Sequence, residues 1–314
     1  MKVKTNVTKR IISMLLATAC LTLGMTGCGT KDVVENDSQE TAQTSSQNTV
    51  EKDSKKPVIL AVSFGTSYND SREVTIGAVE KALQEANSDY EVRRAFTSQI
   101  VIDILEEREK MEIDNVTEAM ERLVADGVKD VVIQPTHVMT GFEYDDVVEE
   151  VNKYADKFDS FKISKPLLAA DADYDALVKS LAEETSAYNV EGTAVVFMGH
   201  GTEHESNATY STLQKKLKDA GYNNYFVGTV EAEPALEDVI ALVKESGAKK
   251  VVLLPLMIVA GDHANNDMAG DEEDSWKTAF KNEGFEVECV LKGLGQYKGV
   301  QKILVDHAAA EIGK

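Results

Sequence analysis

The sequence predicts an α/β protein of two similar halves, each built on a doubly wound parallel sheet. Apolar runs of strand length alternate with amphipathic stretches of helix length, and strand, helix, strand in that order implies parallel pairing. Residues Gly127-Val128-Lys129-Asp130-Val131-Val132-Ile133-Gln134-Pro135 line up without a gap on Gly247-Ala248-Lys249-Lys250-Val251-Val252-Leu253-Leu254-Pro255, and Gly141 then falls on Gly261. Ser63-Phe64-Gly65-Thr66 likewise matches Gly199-His200-Gly201-Thr202, each directly after a first strand. Self-similarity of this kind is the mark of an internal duplication.

The chain of 314 residues opens with Lys2, Lys4, Lys9 and Arg10, runs through the apolar stretch Ile11 to Leu21, and reaches small residues before Cys28. A basic region, a short apolar region and a small-residue boundary predict a cleaved signal peptide over residues 1–27, since the apolar stretch is too short to span a bilayer. Met25-Thr26-Gly27-Cys28 resembles a bacterial lipobox, with Met where Leu is usual, so Cys28 is the expected lipidation site and the protein is expected outside the cytoplasm, anchored by lipid to the cell membrane. Residues 28–56 are polar and almost free of large apolar side chains. They cannot bury enough surface to offset chain entropy and are expected to form a disordered tether.

Three cysteines leave only Cys289 in the folded part, which excludes an intramolecular disulfide and a four-thiolate metal site there. Cys289 is expected as a small core residue. The formal net charge is −21, and without residues 1–27, whose charged side chains are all basic, it is about −25. That balance excludes nucleic acid as a partner and gives a polyanionic substrate no long-range attraction.

The N-terminal half is expected over 57–188 and the C-terminal half over 189–314. In the first, Val58 to Ser63 is a strand, Val74 to Ala86 a helix, Val116 to Asp126 a helix and Val131 to Gln134 a strand. In the second, Thr193 to Met198 and Val251 to Leu254 are the clearest strands. Sites in open α/β sheets form beyond the carboxyl ends of strands, where the matched loops lie.

The halves differ in those loops. His200 stands in the place of Phe64 and His263 in that of Glu143, while a looser match anchored on Tyr90 and Tyr225 sets Glu231 opposite Phe96. Two imidazoles and a carboxylate with an open position suit a divalent transition metal held for reaction, although each loop histidine could equally serve as a hydrogen-bonded structural group. Among the other three histidines, His204 is expected at the rim and His307 on the surface of a terminal helix. His137, ending a first-half strand, suits either a substrate contact or proton carrier or a structural role. The acidic run from Asp267 to Asp274 suits a solvated helix start, with cation binding the alternative. The Ser63 loop lacks both a P-loop lysine and the three-glycine dinucleotide pattern, so no nucleotide or other organic cofactor is expected.

Val62-Ser63-Phe64-Gly65-Thr66-Ser67, Arg94-Ala95-Phe96-Thr97-Ser98, Val196-Phe197-Met198-Gly199-His200-Gly201, Leu254 to Met268 and Asp274-Ser275-Trp276-Lys277 together resemble the anaerobic sirohydrochlorin cobaltochelatases, class II chelatases akin to ferrochelatase. The resemblance runs from about Pro57 nearly to the C-terminus. It implies two flavodoxin-like halves with a tetrapyrrole between them, and His200, Glu231 and His263 as metal ligands, the histidines doubling as proton acceptors. It implies Co2+ as substrate metal, with Fe2+ and Ni2+ open, and tetrapyrrole contacts from His137 and Glu143; Arg94, or Arg93 beside it, suits substrate carboxylates through forked guanidinium bonds. Two other activities fit the same residues: a surface lipoprotein that binds haem, another tetrapyrrole or a metal and passes it to a transporter, and a dechelatase. A homo-oligomer stays open.

Overall fold

The computed structural model describes residues 55–313, so the signal peptide, Cys28 and most of the tether lie outside the described residues. Two four-stranded parallel sheets carry the fold. In the first, β1 (Val58–Ser63), β2 (Glu91–Phe96), β3 (Asp130–Pro135) and β4 (Ser160–Ile163) are ordered β2-β1-β3-β4. In the second, β5 (Thr193–Gly199), β6 (Tyr225–Thr229), β7 (Lys250–Pro255) and β8 (Glu286–Cys289) repeat that order as β6-β5-β7-β8. The expected doubly wound α/β fold is therefore present twice.

Alternation along the central strands decides which layer each residue joins, because successive side chains point to opposite faces. Val58, Leu60 and Val62 pack outward on α3 (Val116–Ala125) and α4 (Phe142–Asn152), while Ile59 and Ala61 point inward. In β5, Ala194, Val196 and Met198 face α7 (Leu236–Glu245) and α8 (Trp276–Asn282), while Val195 and Phe197 point inward. Both faces are covered, which is why β1 and β5 are buried at every residue and apolar apart from Ser63 at the end of β1 and Thr193 at the start of β5.

The inward faces share one core, so the two sheets are not independent bodies. Its middle layer holds α1 (Asn69–Ala86), α5 (Asp171–Glu184), α6 (Ala208–Asp219) and α9 (Lys298–Ile312). Helix α9, from the end of the chain, packs on α1, α5 and β3 of the first half. In return α5 packs on α6, and Thr185 at its end bonds the Tyr225 hydroxyl of β6 at 2.8 Å. The remaining helix, α2 (Gln99–Glu109), is capped by Ser98, whose side chain accepts from the Val101 amide.

The structure corrects four local expectations. Helix α1 begins at Asn69, five residues before the expected start, because its first turn is polar. Strand pairing sets Ser63 beside Phe96 and Gly199 beside Thr229, so the counterpart of Phe96 is Thr229 and that of Glu231 is Ser98. His307 is no surface group: α9 lies against α5, and His307 Nε2 meets Asp173 Oδ1 at 3.0 Å with both side chains nearly buried. Cys289 is only half-buried, since β8 is an edge strand. Among the described residues no helix is long and apolar enough to cross a membrane.

Because α9 seals a core shared by both sheets, Leu304→Ala is expected to cost about 2–5 kcal/mol and to lower the stability of both halves together. Denaturant unfolding followed separately by tryptophan fluorescence, from Trp276 in the second half, and by far-UV circular dichroism should give coincident transitions in both proteins. Separate transitions would contradict a shared core.

Candidate metal centre

Three adjacent strand ends supply one cluster. β5 lies between β6 and β7, so the loops leaving these strands emerge side by side. His200 directly follows β5, Glu231 follows β6 by two residues, and His263 lies in the loop after β7. Their ligand atoms lie within 4.8 Å of one another, the only such group of three or more among the described residues. His200 Nε2 and Glu231 Oε2 are 3.8 Å apart, and the two imidazoles meet edge to face with centroids 4.7 Å apart.

Backbone constraints hold the cluster. The Val230 and Glu231 amides donate to the carbonyls of Gly199 and His200 at 3.0 and 2.9 Å, extending the β5–β6 pairing past the strand ends. A Cβ on Gly199 would lie 2.2 Å from the Tyr210 ring, and Gly201, at φ 87°, would set one 2.8 Å from the Ala232 amide nitrogen. Only glycine allows this turn to pass so close. Tyr210, buried on α6, accepts a hydrogen bond from the Gly201 amide at 3.1 Å, and burial holds its hydroxyl above the usual range.

Each histidine has one ring nitrogen engaged from behind. His200 Nδ1 meets the Gly201 carbonyl at 2.8 Å, and His263 Nδ1 meets Asp267 Oδ2 at 2.8 Å. The nitrogens left open are the two Nε2 atoms. Sequence reasoning grouped Asp267 with the acidic run, but it sits apart, on the π-helical turn Ala264–Met268, four residues beyond His263. That spacing was the available signal. The rest of the run behaves as a helix start: Asp271 pairs with Lys277, and Ser275 caps α8.

The first half presents a different surface at the matching level. Phe64, the counterpart of His200, is 46% exposed, and with Glu143 it lines a hollow of about 390 Å³ formed by the first turns of α2, α3 and α4. Glu143 is near enough for the His200 charge to act on its carboxyl. Its side chain is 54% exposed, but the surrounding concave wall displaces solvent and raises its proton affinity above that of an ordinary glutamate. His137 lies behind it, Nε2 3.8 Å from Glu143 Oε2, with neither ring nitrogen hydrogen-bonded. Burial pushes its pKa down to about 4, so the ring is neutral at pH 7.

His204 is taken up at the rim. Its Nδ1 accepts from the Ser206 amide, its Nε2 faces Asp145 at 3.5 Å, and Phe142 packs edge-on against it. A second bridge between the halves lies at the β1–α1 loop, where the Ala260 amide donates to Ser71 Oγ and the Tyr68 hydroxyl to Asp262. Arg94 is not brought to the cluster. Glu80 engages its guanidinium in two hydrogen bonds of 2.7 and 2.6 Å, in a hollow of about 560 Å³ that no histidine lines. That hollow is the larger of the two, but neither is lined by His200, Glu231 or His263; the smaller one shares Glu143, on which the His200 charge acts.

The family model described as cobalt chelatase (CbiK) matches residues 57–312. The chain is 38% identical over 252 residues to a sirohydrochlorin cobaltochelatase of Salmonella typhimurium, covering 80% of this chain and 95% of that protein. It is 32% identical over 260 residues to the sirohydrochlorin cobaltochelatase CbiKC of Nitratidesulfovibrio vulgaris, covering 82% and 91%. Among solved structures, SirB from Bacillus subtilis with Fe3+ superposes with a TM-score of 0.58 at 14% identity, over 82% of this chain and 96% of that one. A sirohydrochlorin chelatase SirB in complex with cobalt, from Bacillus subtilis subspecies spizizenii, gives 0.53 at 12%, over 82% and 95%. At such identities these two structures speak for the fold alone.

A histidine that titrates near 4 when folded and near 6.5 when unfolded binds fewer protons in the folded state between those values, so stability rises with pH through that window. Acidifying from pH 6.5 to 4 should therefore remove about 3 kcal/mol through His137 alone. Stability curves of the wild type and His137→Leu, compared from pH 4 to 7, should converge or cross toward low pH by that order. Parallel curves would mean that His137 is not held neutral.

Proposed function

The chain belongs to the cobalt chelatase (CbiK) family and is a metal chelatase, and from that premise we propose that it inserts Co2+ into sirohydrochlorin, with His200, Glu231 and His263 holding the metal on its way in. The observation that carries the reading is the convergence of three ligand atoms from three strand-end loops, all within 4.8 Å of one another. Cobalt and sirohydrochlorin are favoured by the names of the two relatives, each matched over more than nine-tenths of its length.

Insertion exchanges two pyrrole N–H protons for one divalent ion. The site must therefore hold a partly dehydrated dication and dispose of two protons. Two imidazoles and a carboxylate suit a first-row divalent metal, and three protein ligands leave positions for the macrocycle nitrogens to enter. The Glu231 carboxylate offsets part of the cost of stripping water from the ion. As metal–nitrogen bonds to the ring form, the protein bonds break, and the freed imidazoles of His200 and His263 accept the pyrrole protons. Fe2+ and Ni2+ would meet the same donors.

Across the cleft, the exposed Phe64 ring offers apolar surface to one face of a macrocycle. Glu143, whose proton affinity is raised by its surroundings and which lies within reach of the His200 charge, suits a temporary proton holder. His137, neutral behind it, suits a supporting contact to Glu143 or the tetrapyrrole. We also propose that the chain is exported and anchored through lipid on Cys28, a reading supported by the basic and apolar leader and by Met25-Thr26-Gly27-Cys28.

An anaerobic absorbance assay of the purified protein with sirohydrochlorin and Co2+ should give multiple turnovers above the uncatalysed rate. His200→Ala and His263→Ala should each lower kcat by 100-fold or more while remaining folded, and wild-type turnover in either would end the site assignment. A tetrapyrrole bound but unchanged would instead favour a carrier. Metabolic labelling with palmitate should mark the full chain and not Cys28→Ala, and equal labelling would sink the anchor.

A further inference from the structure

We propose that Asp267 is a positioning residue: it fixes His263 as the Nδ1–H tautomer and so reserves the Nε2 lone pair for the incoming divalent metal. The proposal rests on the reading of His200, Glu231 and His263 as the metal's ligands.

A neutral imidazole carries one N–H, and only the other nitrogen can bind a metal. An ionised carboxylate accepts hydrogen bonds and donates none. With Asp267 Oδ2 2.8 Å from His263 Nδ1, the ring proton is held at Nδ1 and the lone pair lies at Nε2. His200 obtains the same result by other means, because the Gly201 carbonyl at its Nδ1 is also acceptor-only. One ring is thus set by backbone and cannot be unset by a side-chain change, whereas the other depends on a single carboxylate.

The loop does not need Asp267 to keep its shape. Asn265 donates to the Gly261 carbonyl at 2.7 Å, and Asn266 donates to Asp262 at 2.8 Å, bracing the turn that carries His263. Ala264 and Met268 anchor it in the core. Asp267 itself is 43% exposed, so its removal buries no unpaired group. Without it, the His263 ring is free to turn over about its Cβ–Cγ bond and to carry its proton on either nitrogen. A carboxylate behind a ligating imidazole also strengthens it as a donor, and loss of such a partner commonly costs 10–100-fold in metal affinity.

The test uses the full chain without metal and then with Co2+ alone. Five histidines make the 15N spectrum of histidine-labelled protein assignable by single substitutions. The expected result is an Nδ1–H signature for His263 in the wild type and in Asp267→Asn, whose side-chain oxygen still accepts, and a mixed or Nε2–H signature in Asp267→Ala. Anaerobic titration followed by visible Co2+ absorbance should show affinity down 10–100-fold in Asp267→Ala and within a few-fold of wild type in Asp267→Asn. An unchanged tautomer or unchanged Co2+ affinity in Asp267→Ala overturns the proposal. If His200→Ala and His263→Ala bind Co2+ as the wild type does, the metal reading itself has failed, and the apoprotein tautomer still reports separately on Asp267.

Discussion

Parallel pairing of β5 with β6 on one side and β7 on the other is the constraint on which the site depends. Neighbouring strands run about 4.8 Å apart and end at nearly the same level, so His200 and Glu231, just beyond the ends of β5 and β6, lie side by side, and the longer loop after β7 folds back to bring His263 to them. The Val230 and Glu231 amides continue the β5–β6 ladder beyond the strands, which sets Glu231 beside His200 by backbone hydrogen bonds. Every residue of β5 and β6 is buried, so the ladder rests on a close-packed base that resists displacement.

The same architecture in the first half carries no comparable ligand set. Phe64, Ser98 and Glu143 stand where the second half has His200, Glu231 and His263, and the backbone is matched closely: the Ser98 amide donates to the Phe64 carbonyl as the Glu231 amide does to that of His200. The two frames are alike in backbone, and they differ at three strand-end positions: two imidazoles and a carboxylate converge in one, and a phenyl ring, a hydroxyl and a carboxylate stand in the other.

Much of this was legible in the sequence where the signal is local. The central strands announce themselves through unbroken apolar runs, and the glycine-flanked histidines through their place after those runs. The start of α1 was missed because Asn69-Asp70-Ser71-Arg72-Glu73 has no apolar period, although Ser71 and Arg72 are buried by polar contacts with the loop after β7 and with Glu109. Glu231 was set two residues off its counterpart because β2 and β6 enter their sheets at different points relative to Tyr90 and Tyr225, an offset that only pairing reveals. His307 was misjudged because its partner, Asp173, lies in the other half of the chain. Asp267 was hidden among neighbouring acids whose side chains point elsewhere.

The exchange of terminal helices between halves bears on how the chain acquires its structure during synthesis. The first sheet is complete at Ile163, but α9, which packs on its β3, is the last of the described helices to be made. At ordinary rates of chain growth, the roughly 150 residues between them take about 8–30 s to appear. For that interval Ile59, Ala61 and Val132 lack Val300, Ile303 and Leu304, with which they share one core in the finished protein. The shared core therefore closes only once α9 has been made, long after the sheet it packs on.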